Sequence, residues 1–107
     1  MPNDVIDIDI PKWDPALASL VKEEFNVRKK PLQLEDFLEL AQQHAIRFDD
    51  IMVTMFELCI NGVWEYSNRD GTVVPITQEK FERLYKNGRL HEADLRDYNG
   101  HWALVQN

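Results

Sequence analysis

Two apolar runs at helical spacing, separated by little more than a turn and closed by a glycine, restrict what this chain can fold into. From Leu34, the positions Leu34, Phe37, Leu38 and Ala41 fall at i, i+3, i+4 and i+7, one face of an amphipathic helix. A second run follows, with Ile51, Met55, Leu58 and Cys59 in the same period and Phe48, Met52 and Phe56 widening the stripe. Gly62 lies just past the last periodic residue, where a left-handed cap favours a residue without a Cβ, so this helix is expected to stop near Asn61. Beyond it, Val63 to Tyr66 and Thr72 to Val74 are β-prone, with Asp70-Gly71 as a turn signal between them. The expected order over Leu34 to Pro75 is helix, tight turn, helix, two-stranded ribbon.

Leu40-Ala41 near the end of the first helix, Ile46 in the turn, the spaced positions Ile51, Met55 and Leu58, and Gly62 before the ribbon follow one another in a familiar order. In that order and spacing the stretch resembles a winged helix-turn-helix, with Ser67 to Gly71 as the tip of the wing. The resemblance implies an α+β fold: a small single domain with a winged-helix-like three-helix core and β-hairpin wing. It rests on apolar positions, which specify packing.

In that family the second helix enters the DNA major groove and supplies basic and amide side chains to phosphates and base edges. Here its outward side reads Asp49, Asp50, Val53, Thr54 and Glu57, with Arg47 just ahead of it. From Leu34 to Tyr66 there are seven acidic residues and one basic residue. Such a surface repels phosphates, whose neutralisation by Lys and Arg dominates nucleic-acid affinity. The formal charge of −7 points the same way, towards a basic or apolar protein partner and away from nucleic acid or an anionic membrane.

The remainder of the chain adds elements to this core. Val5 to Ile10 alternates isoleucines with Asp7 and Asp9, the pattern of a short half-buried strand within an N-terminal arm over 1–12. The two aspartates suit the solvated face of an edge strand better than a metal site. Asp14-Pro15 opens a helix expected to reach Asn26, with Leu17, Leu20, Val21 and Phe25 inward. Arg28-Lys29-Lys30-Pro31 then reads as a solvated connector. After the core, Thr77 caps a short helix with Phe81, Leu84 and Tyr85 inward, expected to end at Asn87-Gly88. Asn99-Gly100 signals a closing C-terminal β-hairpin between Leu95 to Tyr98 and His101 to Val105. No repeat or linker divides the 107 residues, which read as one domain: arm, core over 34–75, then helix and hairpin over 76–107.

Chemistry is sparse. His44, His91 and His101 are scattered, and the four glycines are isolated, so neither a metal site nor a phosphate-binding loop is expected. Cys59 sits within an apolar run and reads as a core thiol. Asp49-Asp50 suits the positive end of a helix dipole better than acid-base catalysis. No apolar run is long enough to span a bilayer, and the start lacks the basic and apolar segments of a signal peptide, so a cytoplasmic protein is expected.

The composite expectation is a non-enzymatic, acidic interaction module without cofactors. It would bind another protein through Asp49, Asp50, Val53, Glu57, Trp64 and Tyr66, in its sharper form as a phage-type inhibitor imitating the charge of DNA. The alternative is a winged-helix transcriptional regulator contacting phosphates through Arg28, Lys29, Lys30, Arg47 and Arg69.

Overall fold

The computed structural model describes residues 13–86, 89–90 and 95–105. The expected strand over Val5 to Ile10 lies outside them. Helix α1 spans Pro15–Arg28, two residues beyond its expected end. Asp14 caps it by accepting the Ala16 and Leu17 amides on Oδ1 at 2.9 and 3.3 Å. Helix α2 spans Leu34–Gln43, and its Asp36 carboxylate reaches back to accept the Gln33 amide at 2.9 Å. Helix α3 spans Phe48–Ile60.

The two core helices end with the same device. After α3, Gly62 takes φ +78°, and the Val63 and Gly62 amides donate to the Leu58 and Cys59 carbonyls at 2.9 and 3.1 Å. After α2, Ala45 takes φ +54°, and the Ile46 amide donates to the Ala41 carbonyl at 2.9 Å. Alanine in that left-handed conformation costs on the order of 1 kcal/mol relative to glycine. The tight turn therefore forms without the residue type that usually announces it.

Strand β1, Trp64–Ser67, is stopped off α3 by Gly62 as expected. Its principal partner is not the nearby Thr72 to Val74 run. Four opposed positions pair it antiparallel with the closing strand His101–Leu104, from Trp64 opposite Leu104 to Ser67 opposite His101. The return run makes a single bridge, Ser67 to Val73, supported by the Asn68 amide on the Thr72 carbonyl and the Val74 amide on the Tyr66 carbonyl. On its other edge the closing strand pairs with Leu32, Leu32 and Trp102 exchanging both backbone bonds at 2.8 Å.

The expected C-terminal hairpin is corrected by this pairing. Arg96–Tyr98 is a 3₁₀ turn, and the backbone groups of the closing strand are satisfied by β1 and Leu32. Gly100 serves close approach: a Cβ there would lie 1.9 Å from the Ser67 carbonyl oxygen. Its amide donates to the Tyr66 hydroxyl at 2.9 Å.

Between the paired strands the chain forms helix α4, Gln78–Leu84, whose Thr77 hydroxyl caps the Lys80 amide at 3.2 Å. The helix stops at Leu84, short of Asn87-Gly88. Instead Tyr85–Lys86 (β2) pairs antiparallel with Arg89–Leu90 (β3), and the expected stop at Asn87-Gly88 lies outside the described residues. With the closing strand as β4, the chain is α+β, with four helices and two small two-stranded antiparallel sheets among the described residues.

Helix α3 is the hub, packing against α1, α2, β1 and β3. Phe56, Tyr66, Tyr98 and Trp102 interlock beside it: Tyr66 and Trp102 centroids lie 4.8 Å apart, and Phe56 meets Tyr98 and Trp102 edge-on at 5.1 and 5.5 Å. Burial of rings this large supplies much of the apolar area removed from water in a domain of this size.

Candidate functional site

The outward side expected of α3 is largely closed. Asp49 is 8 % exposed, Thr54 2 % and Glu57 7 %. Packing by elements on several sides, β3 included, leaves Asp50 as the exposed residue of this set and Val53 half-buried. Trp64 and Tyr66, expected on an aromatic face of the wing, are each 2 % exposed. Alternation along β1 turns both inward, Trp64 onto Phe25 at 5.4 Å and Tyr66 onto Trp102 and Tyr98, while Glu65 between them faces solvent. Glu57, Trp64 and Tyr66 are thereby corrected from surface to interior.

The cations of the DNA-binding alternative are scattered and partly committed. Arg28 is held by three carboxylates: Glu24 on its own helix, Asp36 at 2.7 Å and Glu39 at 2.9 Å on α2. The hydrogen bond it donates to Glu24, and then the one it donates to Glu39, push its guanidinium further up from the usual arginine range. Arg47 donates through Nε and Nη2 to the two Asp49 oxygens at 3.3 and 3.1 Å, and these bonds likewise raise it. Lys29 and Lys30 are exposed after α1, and Arg69 is exposed in the turn after β1. Arg28 is thus a clasp between α1 and α2, and Arg47 a partner for the first turn of α3.

Three of the expected site residues do meet in a surface cleft of about 330 Å³, namely Asp49, Asp50 and Val53. The start of α1 contributes Trp13, Asp14 and Leu17, α3 adds Thr54, and β2 contributes Tyr85. Tyr85 was expected to face inward from a longer α4. Instead the helix ends one residue earlier, and the ring is 41 % exposed, stacked by one face on Phe81 with centroids 5.3 Å and planes 13° apart. Phe81 is itself buried against Phe56, so the stack fixes the orientation of the Tyr85 ring.

The electrostatics of the cleft are one-sided. Among the described residues the lining carries the carboxyl groups of Asp14, Asp49 and Asp50 and no lysine or arginine, while Arg47 stands outside it within Coulombic range of Asp50 and Tyr85. Asp49 is paired with Arg47, and Asp14 uses Oδ1 for its cap. The Asp50 carboxylate is exposed and has no hydrogen-bond partner among the described residues. Thr54 donates its hydroxyl proton to the Asp50 carbonyl at 3.0 Å, which leaves the hydroxyl oxygen as an acceptor.

Trp13, Asp14, Leu17 and Tyr85 are lining residues that sequence reasoning did not place at this site. No local signal links them to α3, because the cleft exists only where the start of α1 meets the first turns of α3. Cys59 is a half-buried thiol pushed up to about 12 by burial and, secondarily, by the negative charge of Glu65, which makes it a poor nucleophile. Among the described residues no cluster of three potential metal ligands occurs, and no helix is long and apolar enough to cross a membrane.

Neither the protein-family models, nor the curated proteins, nor the solved structures include a match to this chain.

Proposed function

We propose that the chain is a winged-helix-like, non-enzymatic interaction module that binds a basic protein through the cleft at the start of α3. The observation that carries the proposal is the lining: aspartates from two helices meet two partly exposed aromatic rings, and among the described residues no lysine or arginine lines the cleft. A basic partner would gain Coulombic steering from the net charge of −7 and local contacts from the cleft. The winged-helix likeness is supported by the order α2, tight turn, α3, glycine stop and antiparallel ribbon. In this reading the ribbon is β1 with β4, and the connection between them carries α4, β2 and β3.

The same features weigh against the DNA-binding regulator. The helix that would enter the major groove is enclosed by its neighbours, and two of the arginines that would hold phosphates are bonded to carboxylates. An inhibitor that imitates the charge of DNA is a narrower form of the proposal, in which the basic partner is itself a DNA-binding protein.

Fluorescence anisotropy at low salt tests the reading. A labelled peptide of alternating arginine and lysine should bind and weaken as salt rises, and a labelled random-sequence duplex should not bind. Saturable, salt-sensitive binding of the duplex would overturn the proposal in favour of the regulator.

A further inference from the structure

We infer that the cleft is an arginine receptor: it takes one guanidinium side chain of the partner against Trp13 and Tyr85, with Asp50 as its counter-ion. The inference rests on the basic-partner reading and specifies its chemistry. A volume of about 330 Å³ lies at the small end of ligand sites, enough for a single long side chain and too little for a folded element.

The lining distinguishes arginine from lysine. A guanidinium is planar, weakly hydrated and able to stack on an aromatic face while donating in its own plane, whereas an ammonium is a strongly hydrated point charge. Tyr85 is held by its stack on Phe81, so one ring face is already used and the ring is set before a ligand arrives. Pre-setting an aromatic wall removes part of the ordering cost of binding. Leu17 and Val53 give the aliphatic stem an apolar surface. At the charged end, the Asp50 carboxylate and the Thr54 hydroxyl oxygen are acceptors, and Asp14 retains Oδ2 outside its capping bonds. Asp49 contributes less, since Arg47 already neutralises it. Cation–π contact and a charge-assisted hydrogen bond then reinforce each other on one planar group.

The test is a titration of the whole chain with a short all-arginine peptide and its all-lysine counterpart of equal length. It is followed by nuclear magnetic resonance at the Trp13 indole and at the Asp50 and Thr54 amides. The arginine peptide should bind roughly threefold or more tighter than the lysine peptide and shift these signals. Asp50→Asn should weaken it about tenfold, a loss of about 1.4 kcal/mol. Tyr85→Ala should erase the preference for arginine, and Glu35→Gln, which removes an exposed carboxylate on α2, should leave both affinities close to wild type. Equal affinities for the two peptides, with Asp50→Asn no worse than Glu35→Gln, would overturn the arginine receptor while the basic-partner reading stood. Failure of both peptides to bind would overturn both.

Discussion

Phe56, Tyr66, Tyr98 and Trp102 interlock beside α3, whereas Trp13 and Tyr85 line an open cleft at the start of the same helix. Residue type does not separate the two groups. Strand position does: Tyr66 and Trp102 are cross-strand partners on the inward side of β1 and β4, and pairing presses their rings together. Trp13 precedes α1 and Tyr85 follows α4 at the start of a two-residue strand, and both rings keep part of their surface in the cleft. The interior group therefore holds the fold, and the cleft group stays accessible, as the proposed recognition requires.

The sharpest way to break this contrast is Trp102→Ala. Trp102 is fully buried, touches Phe37, Phe56, Tyr66 and Tyr98, and anchors the backbone exchange with Leu32. Its removal should cost about 3 to 5 kcal/mol in chemical denaturation. A loss below about 1 kcal/mol would mean that the ring cluster does not hold the sheet to α3.

Alkaline pH should discriminate next. Burial raises the Tyr66 and Tyr98 hydroxyls and pushes the Cys59 thiol from its ordinary 9.0 to about 12. The folded chain thus keeps these protons where the unfolded chain loses them. Their contribution is complete below the ordinary values and is lost as pH rises through the window. For Cys59 alone the slope is roughly 1.4 kcal/mol per pH unit, or roughly 2 to 3 kcal/mol between about pH 9 and about pH 11. Denaturation curves of Cys59→Ala across that range should be correspondingly flatter. An unchanged slope would place the thiol in water.

Gly100→Ala isolates the approach of β4 to β1. The added methyl would fall 1.9 Å from the Ser67 oxygen and 2.9 Å from the Asn68 carbonyl carbon, both backbone atoms that cannot swing aside. Overpacking of this kind should cost about 1 to 3 kcal/mol in thermal unfolding. A neutral result would show that the two strands separate easily there.

Much of the helical core was legible because its signals are local. Asp14-Pro15, Thr77 and Gly62 lie at or next to the helix boundaries, and the apolar periods over α2 and α3 name the residues that are buried or half-buried. Two boundaries escaped for physical reasons. Ala45 takes a left-handed conformation that its side chain does not advertise, and α4 gives way at Tyr85 to a strand paired with β3, ahead of the expected stop. Strand pairing was illegible in principle: Asp70-Gly71 and Asn99-Gly100 each favour a local hairpin, yet β1 and β4 choose one another across the intervening chain. The site suffered the same loss. Periodicity placed Asp49 and Glu57 outside, and the packing of further elements on α3 brought them in.

Tyr85→Ala gives the smallest effect on stability and sharpens the comparison most. Its ring is 41 % exposed and touches the interior through one stacked face on Phe81, so truncation should cost about 1 kcal/mol or less, against the several expected at Trp102. The same truncation should remove the preference for an arginine peptide over a lysine peptide in the titration. Both readouts are needed, because each region predicts the opposite pair. A residue of the interior cluster would lose stability and, once refolded, keep its ligand preference; a residue of the cleft keeps stability and loses the preference. If Tyr85→Ala instead unfolds the chain as deeply as Trp102→Ala, the stack on Phe81 belongs to the core, and the boundary between the two aromatic groups lies beyond Tyr85.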